Sequence, residues 1–124
     1  MDYRIDCMNL AAANLDAMVT FYSNVFGIEL TEQPLQDAKL YQGKFAGTDF
    51  VLLPASLADV TAKQNRMQYD VVVSDLDEAI GLVEAHGGRT NGRIGEDDRM
   101  RCIGVFDPDD NFMVFRQVKS APDE

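Results

Sequence analysis

Apolar positions recur along the chain with two different periods. Leu15, Met18, Val19, Tyr22, Val25 and Phe26 fall at i, i+3, i+4, i+7 spacing, which predicts a helix with one apolar face. Asn14 stands where a helix N-cap is expected, and Gly27 where the helix should stop. Leu76, Ala79, Ile80 and Val83 repeat the pattern; Ser74 and Asp77 are spaced like a capping box, and Gly87-Gly88 closes the run. Shorter β-prone stretches surround both helices. Residues 4–13 predict a strand before the first helix, and residues 28–32, 39–45 and 49–54 predict three after it, with turns near Pro34 and Gly47. Residues 67–73, ending in three valines, predict a strand before the second helix; residues 89–94, 100–106 and 112–118 predict three more after it. Residues 55–66 are polar and weakly periodic, as expected of a connection.

The order is strand, helix, three strands, and then the same again. A single shift along the chain carries Leu15 onto Leu76, Asp16 onto Asp77, Phe21 onto Leu82 and Gly27 onto Gly88. This coincidence supports an internal repeat. The expected fold is therefore α+β, two βαβββ modules forming a curled mixed sheet around a concave site. The expected organisation is one domain over residues 1–120. Its first module covers about 1–56, a connection about 57–66 and the second module about 67–118, with a frayed tail at 119–124.

Composition narrows the function. With 124 residues, 46% hydrophobic and 26% charged, the chain has the balance of a soluble globular protein. No apolar stretch approaches the about 18 residues of a membrane span, and the charged start MDYRIDCMNL lacks the features of a signal peptide. No membrane partner and a cytoplasmic location are expected. A formal charge of -10 repels phosphate backbones, so no nucleic acid partner is expected, and any charged ligand should be a cation. Cys7 and Cys102 form no CxxC pair and are expected to be free thiols.

Three stretches carry a family resemblance: NLDAMVTFYSNVFGIEL from Asn14, YDVVVSDLDEAIGLVEAHGG from Tyr69, and VFDPDDNFMVF from Val105. In this order and spacing they resemble the vicinal oxygen chelate superfamily, the glyoxalase/bleomycin resistance protein/dioxygenase family. The resemblance implies paired modules around a concave site, usually in a homodimer. In metal-dependent members, His and Glu side chains from four strands hold one divalent ion. The corresponding positions here are Cys7, Gln68, Val114 and a residue at or near Leu52, with Val51 or Leu53 if the alignment slips by one. Valine and leucine offer no lone pair, and Cys7 with Gln68 would make a two-ligand site without a carboxylate. The expectation is a fold without its usual metal and with no cofactor, which argues against a glyoxalase I or an extradiol dioxygenase.

Strand alternation places Cys7 with Asn9 and Ala11, Gln68 with Asp70 and Val72, and Phe112 with Val114 and Arg116. If the alignment holds, these faces line the concavity. The ligand pocket candidates are then Cys7, Asn9, Leu52, Gln68, Asp70, Val114 and Arg116, with Asp70 and Arg116 as a pair or as its polar anchors. No catalytic residue is assigned. Cys7 has no histidine near it in sequence to act as a base, and His86, the single histidine, sits at a helix end where capping explains it. The stretch FDPDDNFMVF reads as a turn, with Asp110 in a left-handed conformation where the family usually has glycine. The leading expectation is a small-molecule-binding protein resembling the bleomycin-resistance members, its ligand cationic or drug-like and otherwise unidentified. Two other readings stay open. One is a lyase or isomerase using Asp70, Cys7 or Arg116; the other is a dimeric interaction module without a ligand.

Overall fold

Asn14 begins the first helix as expected: its side chain accepts a hydrogen bond from the Ala17 N–H at 3.1 Å. The computed structural model describes residues 1–119 apart from Tyr3 and Arg66. Within them the chain divides into two compact units, with the division between Ala62 and Lys63.

The first unit runs β1 (Cys7–Ala12), α1 (Leu15–Val25), β2 (Thr31–Leu35), β3 (Ala38–Phe45), β4 (Thr48–Pro54) and a single turn of helix, α2 (Ala55–Ala58). The sheet order is β1-β4-β3-β2, with β1 parallel to β4 and the remaining pairs antiparallel. Met18, Phe21 and Tyr22 are the buried face of α1. Tyr22 meets Phe50 at 5.6 Å and Phe45 at 5.9 Å, and Phe26 meets Phe45 at 4.8 Å, so these rings seal the helix onto one side of the sheet. Gly27, at φ 66°, turns the chain out of the helix.

The second unit runs β5 (Asp70–Val72), α3 (Leu76–Ala85), β6 (Arg89–Thr90), β7 (Gly95–Glu96), β8 (Met100–Phe106) and β9 (Phe112–Val118). Its sheet order is β5-β9-β8-β6, with β7 also on β8, and β5 is parallel to β9. Ile103, Val105, Met113 and Phe115 are buried together with Leu76, Ala79 and Val83 of α3. Each unit is thus a βαβββ module with its helix on one face of an open mixed sheet, an α+β fold.

Several expected boundaries move. The strand expected at 28–32 begins only at Thr31 and includes Pro34; β2 is the sheet edge, where the missing N–H costs no ladder bond. The strand at 67–73 shortens to Asp70–Val72, and that at 89–94 splits into β6 and β7. The N-cap of α3 is Asp75, whose carboxylate accepts from the Glu78 N–H at 3.1 Å; the Ser74–Asp77 capping box does not form, because Asp75 stands one residue closer to the helix. Gly87, at φ 92°, makes the stop that was expected of the Gly87-Gly88 pair. The expected frayed tail lies outside the described residues except for Lys119. Its N–H donates to the Arg99 carbonyl at 2.7 Å, so Lys119 is held in place.

The acidic stretch is a turn. Asp107 is 1% exposed, and its carboxylate accepts from the backbone N–H groups of Asp109 and Asn111 and from Asn111 Nδ2, each at 2.9 Å. Asp110 has φ 66°, the left-handed conformation expected of it.

Candidate functional site

In each unit the helix covers one face of the sheet and leaves the other free of it. In the first unit the register pairs Cys7 with Asp49, Asn9 with Val51 and Ala11 with Leu53. Paired residues share a face. Phe50 and Leu52 lie on the opposite face, under α1, and Leu52 is 0% exposed. Leu52 is therefore a core residue of the helix side, a correction to the pocket set. The face of Cys7 and Asn9 carries Val51 and Leu53 in its place. The Cys7 thiol lies 3.7 Å from the Met8 carbonyl and 3.9 Å from Asn9 Oδ1, neither of them a base that could activate it.

In the second unit Asp70 pairs with Val114 and Val72 with Arg116, while Cys102 pairs with Arg116 from the other side. These residues share the face away from α3. The Arg116 guanidinium reaches Asp70 Oδ2 at 3.3 Å and Met100 Sδ at 3.2 Å, so Asp70 and Arg116 form the ion pair that strand alternation left open. Gln68 lies ahead of β5 and is exposed.

Pairing in register also aligns the two halves. Val51 faces Asn9 across the parallel pair of the first unit, and Val114 faces Asp70 across that of the second. Val51 is thus the counterpart of Val114. A divalent ion of the kind the resemblance implies would need a carboxylate or imidazole at these positions, and two valines provide neither. Among the described residues no three His, Cys, Asp or Glu side chains gather in a cluster able to hold a metal. Neither valine offers such an ion a donor.

Phe112, which strand alternation places beside Val114 and Arg116, completes the second face together with residues outside the predicted pocket set. Phe112 and Phe106 pair across β8 and β9 with ring centroids 5.0 Å apart, and the Arg89 guanidinium stacks on Phe106 at 3.9 Å. Asn65 lies in the stretch read as a connection. Its side-chain amide accepts from the Phe112 N–H at 2.8 Å and donates to the Phe112 carbonyl at 2.9 Å, imitating a strand neighbour at the start of β9. The alternation of β8 could have placed Met100, Cys102 and Phe106 on this face. No local signal marks Asn65, whose partner is far away in sequence.

Two open mixed sheets in βαβββ modules, with the candidate residues on the helix-free faces, define a protein of the vicinal oxygen chelate type. Residues 7–115 match the family model described as a Glyoxalase-like domain, and the chain belongs to that family. Among solved structures, a glyoxalase-related enzyme from Fulvimarina pelagi is similar with a TM-score of 0.75 at 14% identity, over 95% of this chain and 98% of that one. The fosfomycin resistance protein FosX from Listeria monocytogenes gives 0.73 at 16% identity, over 94% of each chain. An antibiotic binding protein, TnmS3 from Streptomyces sp. CB03234, gives 0.64 at 20% identity, over 95% and 98%. At these identities the likeness is one of fold. No curated protein sequence matches the chain.

Proposed function

We propose that the chain is a small-molecule-binding protein that works without a bound divalent ion, acting as a cytoplasmic homodimer that sequesters a drug-like ligand. The observation that carries this reading is Val114, at the position where the resemblance implies an acidic ligand, together with Val51, its counterpart by register in the first unit. An apolar strand face with a few polar fixtures suits retention of an organic molecule better than Lewis-acid chemistry. The antibiotic binding protein among the fold neighbours gives the reading a precedent within the fold.

A second reading draws on the ion pair of Asp70 and Arg116 at 3.3 Å, a carboxylate beside a guanidinium on an open face. In a lyase or isomerase Asp70 would take a proton and Arg116 would stabilise the developing anion. A thermal-shift screen against drug-like compounds, run with and without a strong chelator, tests the first reading. At least one compound should raise the Tm equally in both conditions. No stabilising compound, or stabilisation that the chelator abolishes, would refute it, and chemical conversion of a stabilising compound would favour the second reading.

A further inference from the structure

The helix-free face of the second sheet has a low point at Gly104, which pairs with Val114. A Cβ there would come within 2.6 Å of both Asn91 Nδ2 and Phe112 Cε1. The missing side chain is what lets the Phe112 ring and the Asn91 amide lie down over the strand. With Phe106 beside Phe112 and Arg89 stacked on Phe106, the result is a shallow, half-exposed aromatic floor.

The polar groups on this floor have a definite arrangement. Asn91 Oδ1 accepts from the Arg93 N–H at 3.1 Å, which fixes the amide and turns its amino group toward Gly104. That amino group has no hydrogen-bond partner among the described residues. The charges cancel in pairs, Arg116 with Asp70 at 3.3 Å and Arg89 with Asp110 at 3.0 Å. A cation drawn to Asp70 meets Arg116, and an anion drawn to Arg116 meets Asp70. The overall charge of -10 acts from farther away and is screened over about 8 Å at physiological ionic strength. The face itself therefore decides the ligand's charge.

We propose that this face takes a neutral, flat aromatic ligand with a carbonyl oxygen, stacked on Phe112 and accepting a hydrogen bond from Asn91 Nδ2. The inference rests on the binding reading above and adds shape and charge to it, replacing the expected cation by a neutral molecule. Met100 and Cys102, on the same face, supply polarizable surface beside the ring.

Fluorescence titration with three tricyclic probes of similar outline tests it: acridone, neutral with one carbonyl; proflavine, a cation; and acridone-4-carboxylate, an anion. The informative variant is Asn91→Asp, which keeps an acceptor for the Arg93 N–H and replaces the free donor by a charged oxygen. Acridone should bind the unaltered protein tightest. The variant should weaken acridone about tenfold, the loss of one hydrogen bond against a repelling oxygen, and strengthen proflavine. Phe112→Leu, with folding confirmed by circular dichroism, should weaken all three. Tighter binding of either charged probe to the unaltered protein, acridone indifferent to Asn91→Asp, or no binding by any probe would overturn the inference. If no probe binds but the compound screen finds a chelator-resistant stabiliser, only this inference falls; silence in both removes the binding reading as well.

Discussion

Gly43 shows how closely single atoms constrain the first unit. It pairs with Phe50 on the helix side of the sheet, and the chain at residues 28–30 crosses directly over it. A Cβ at this position would lie 2.6 Å from the Glu29 carbonyl oxygen and 2.9 Å from Ile28 Cγ2. Because the nearer atom is backbone, relief requires moving the crossing segment and with it Ile28, which is 7% exposed. Gly43→Ala should therefore destabilise the protein by about 1–3 kcal/mol, as overpacking does. Denaturant melts of the variant would check this, and an unchanged midpoint would show that the crossing is loose. The sequence carried no hint of the role of Gly43, because the crowding atoms come from a crossing segment rather than from its strand. Asp110 was legible for the opposite reason: turn chemistry is local, and its left-handed φ of 66° follows from its neighbours. Leu52 failed at the same scale, since one residue of register separates a core position from a pocket position.

Among the elements, the helices were the most legible. Their period, caps and glycine stops all lie within one short stretch, and only the cap of α3 moved, from Ser74 to Asp75. The short strands β5, β6 and β7 were less so, since they are defined by partners on β8 and β9 rather than by their own residues. The link from β7 to β8 also has an electrostatic consequence. The Asp97 carboxylate accepts from the N–H of Arg99 at 2.7 Å and of Met100 at 2.9 Å, and these bonds hold its pKa below the usual carboxylate range. Glu96 is likewise lowered, chiefly by its hydrogen bond from Lys119 at 2.7 Å. A carboxyl with a depressed folded-state pKa stabilises the fold above its unfolded value and loses that contribution as the pH falls through the folded one. Both groups are exposed, so the effect is local to this turn and screened by salt. Carbon-13 titration should place the Asp97 carboxyl midpoint below that of the same residue in an unfolded peptide, with the Arg99 and Met100 amides losing protection at acid pH. An Asp97 midpoint equal to the peptide's would contradict the assignment.

At the level of the whole molecule, the repeat was visible in sequence as coincident leucines, aspartates and glycines. The structure gives the coincidence a cause: both halves are βαβββ modules whose first and last strands pair in parallel. The family was legible because its turns and helix starts are local. The full set of facing residues was not, since Asn65, Asn91 and Phe106 reach their places through long-range pairing. Among the described residues no helix is long and apolar enough to cross a membrane. The proposed function depends on the chemistry of Val51 and Val114, which hold matching register positions in the two units, and a carboxylate at either would have argued for the opposite conclusion. Native mass spectrometry of the protein, isolated gently from the cells that make it, addresses the point most directly. The account predicts a homodimer that carries no stoichiometric divalent ion and retains the mass of a small organic molecule; one divalent ion held per chain would contradict it.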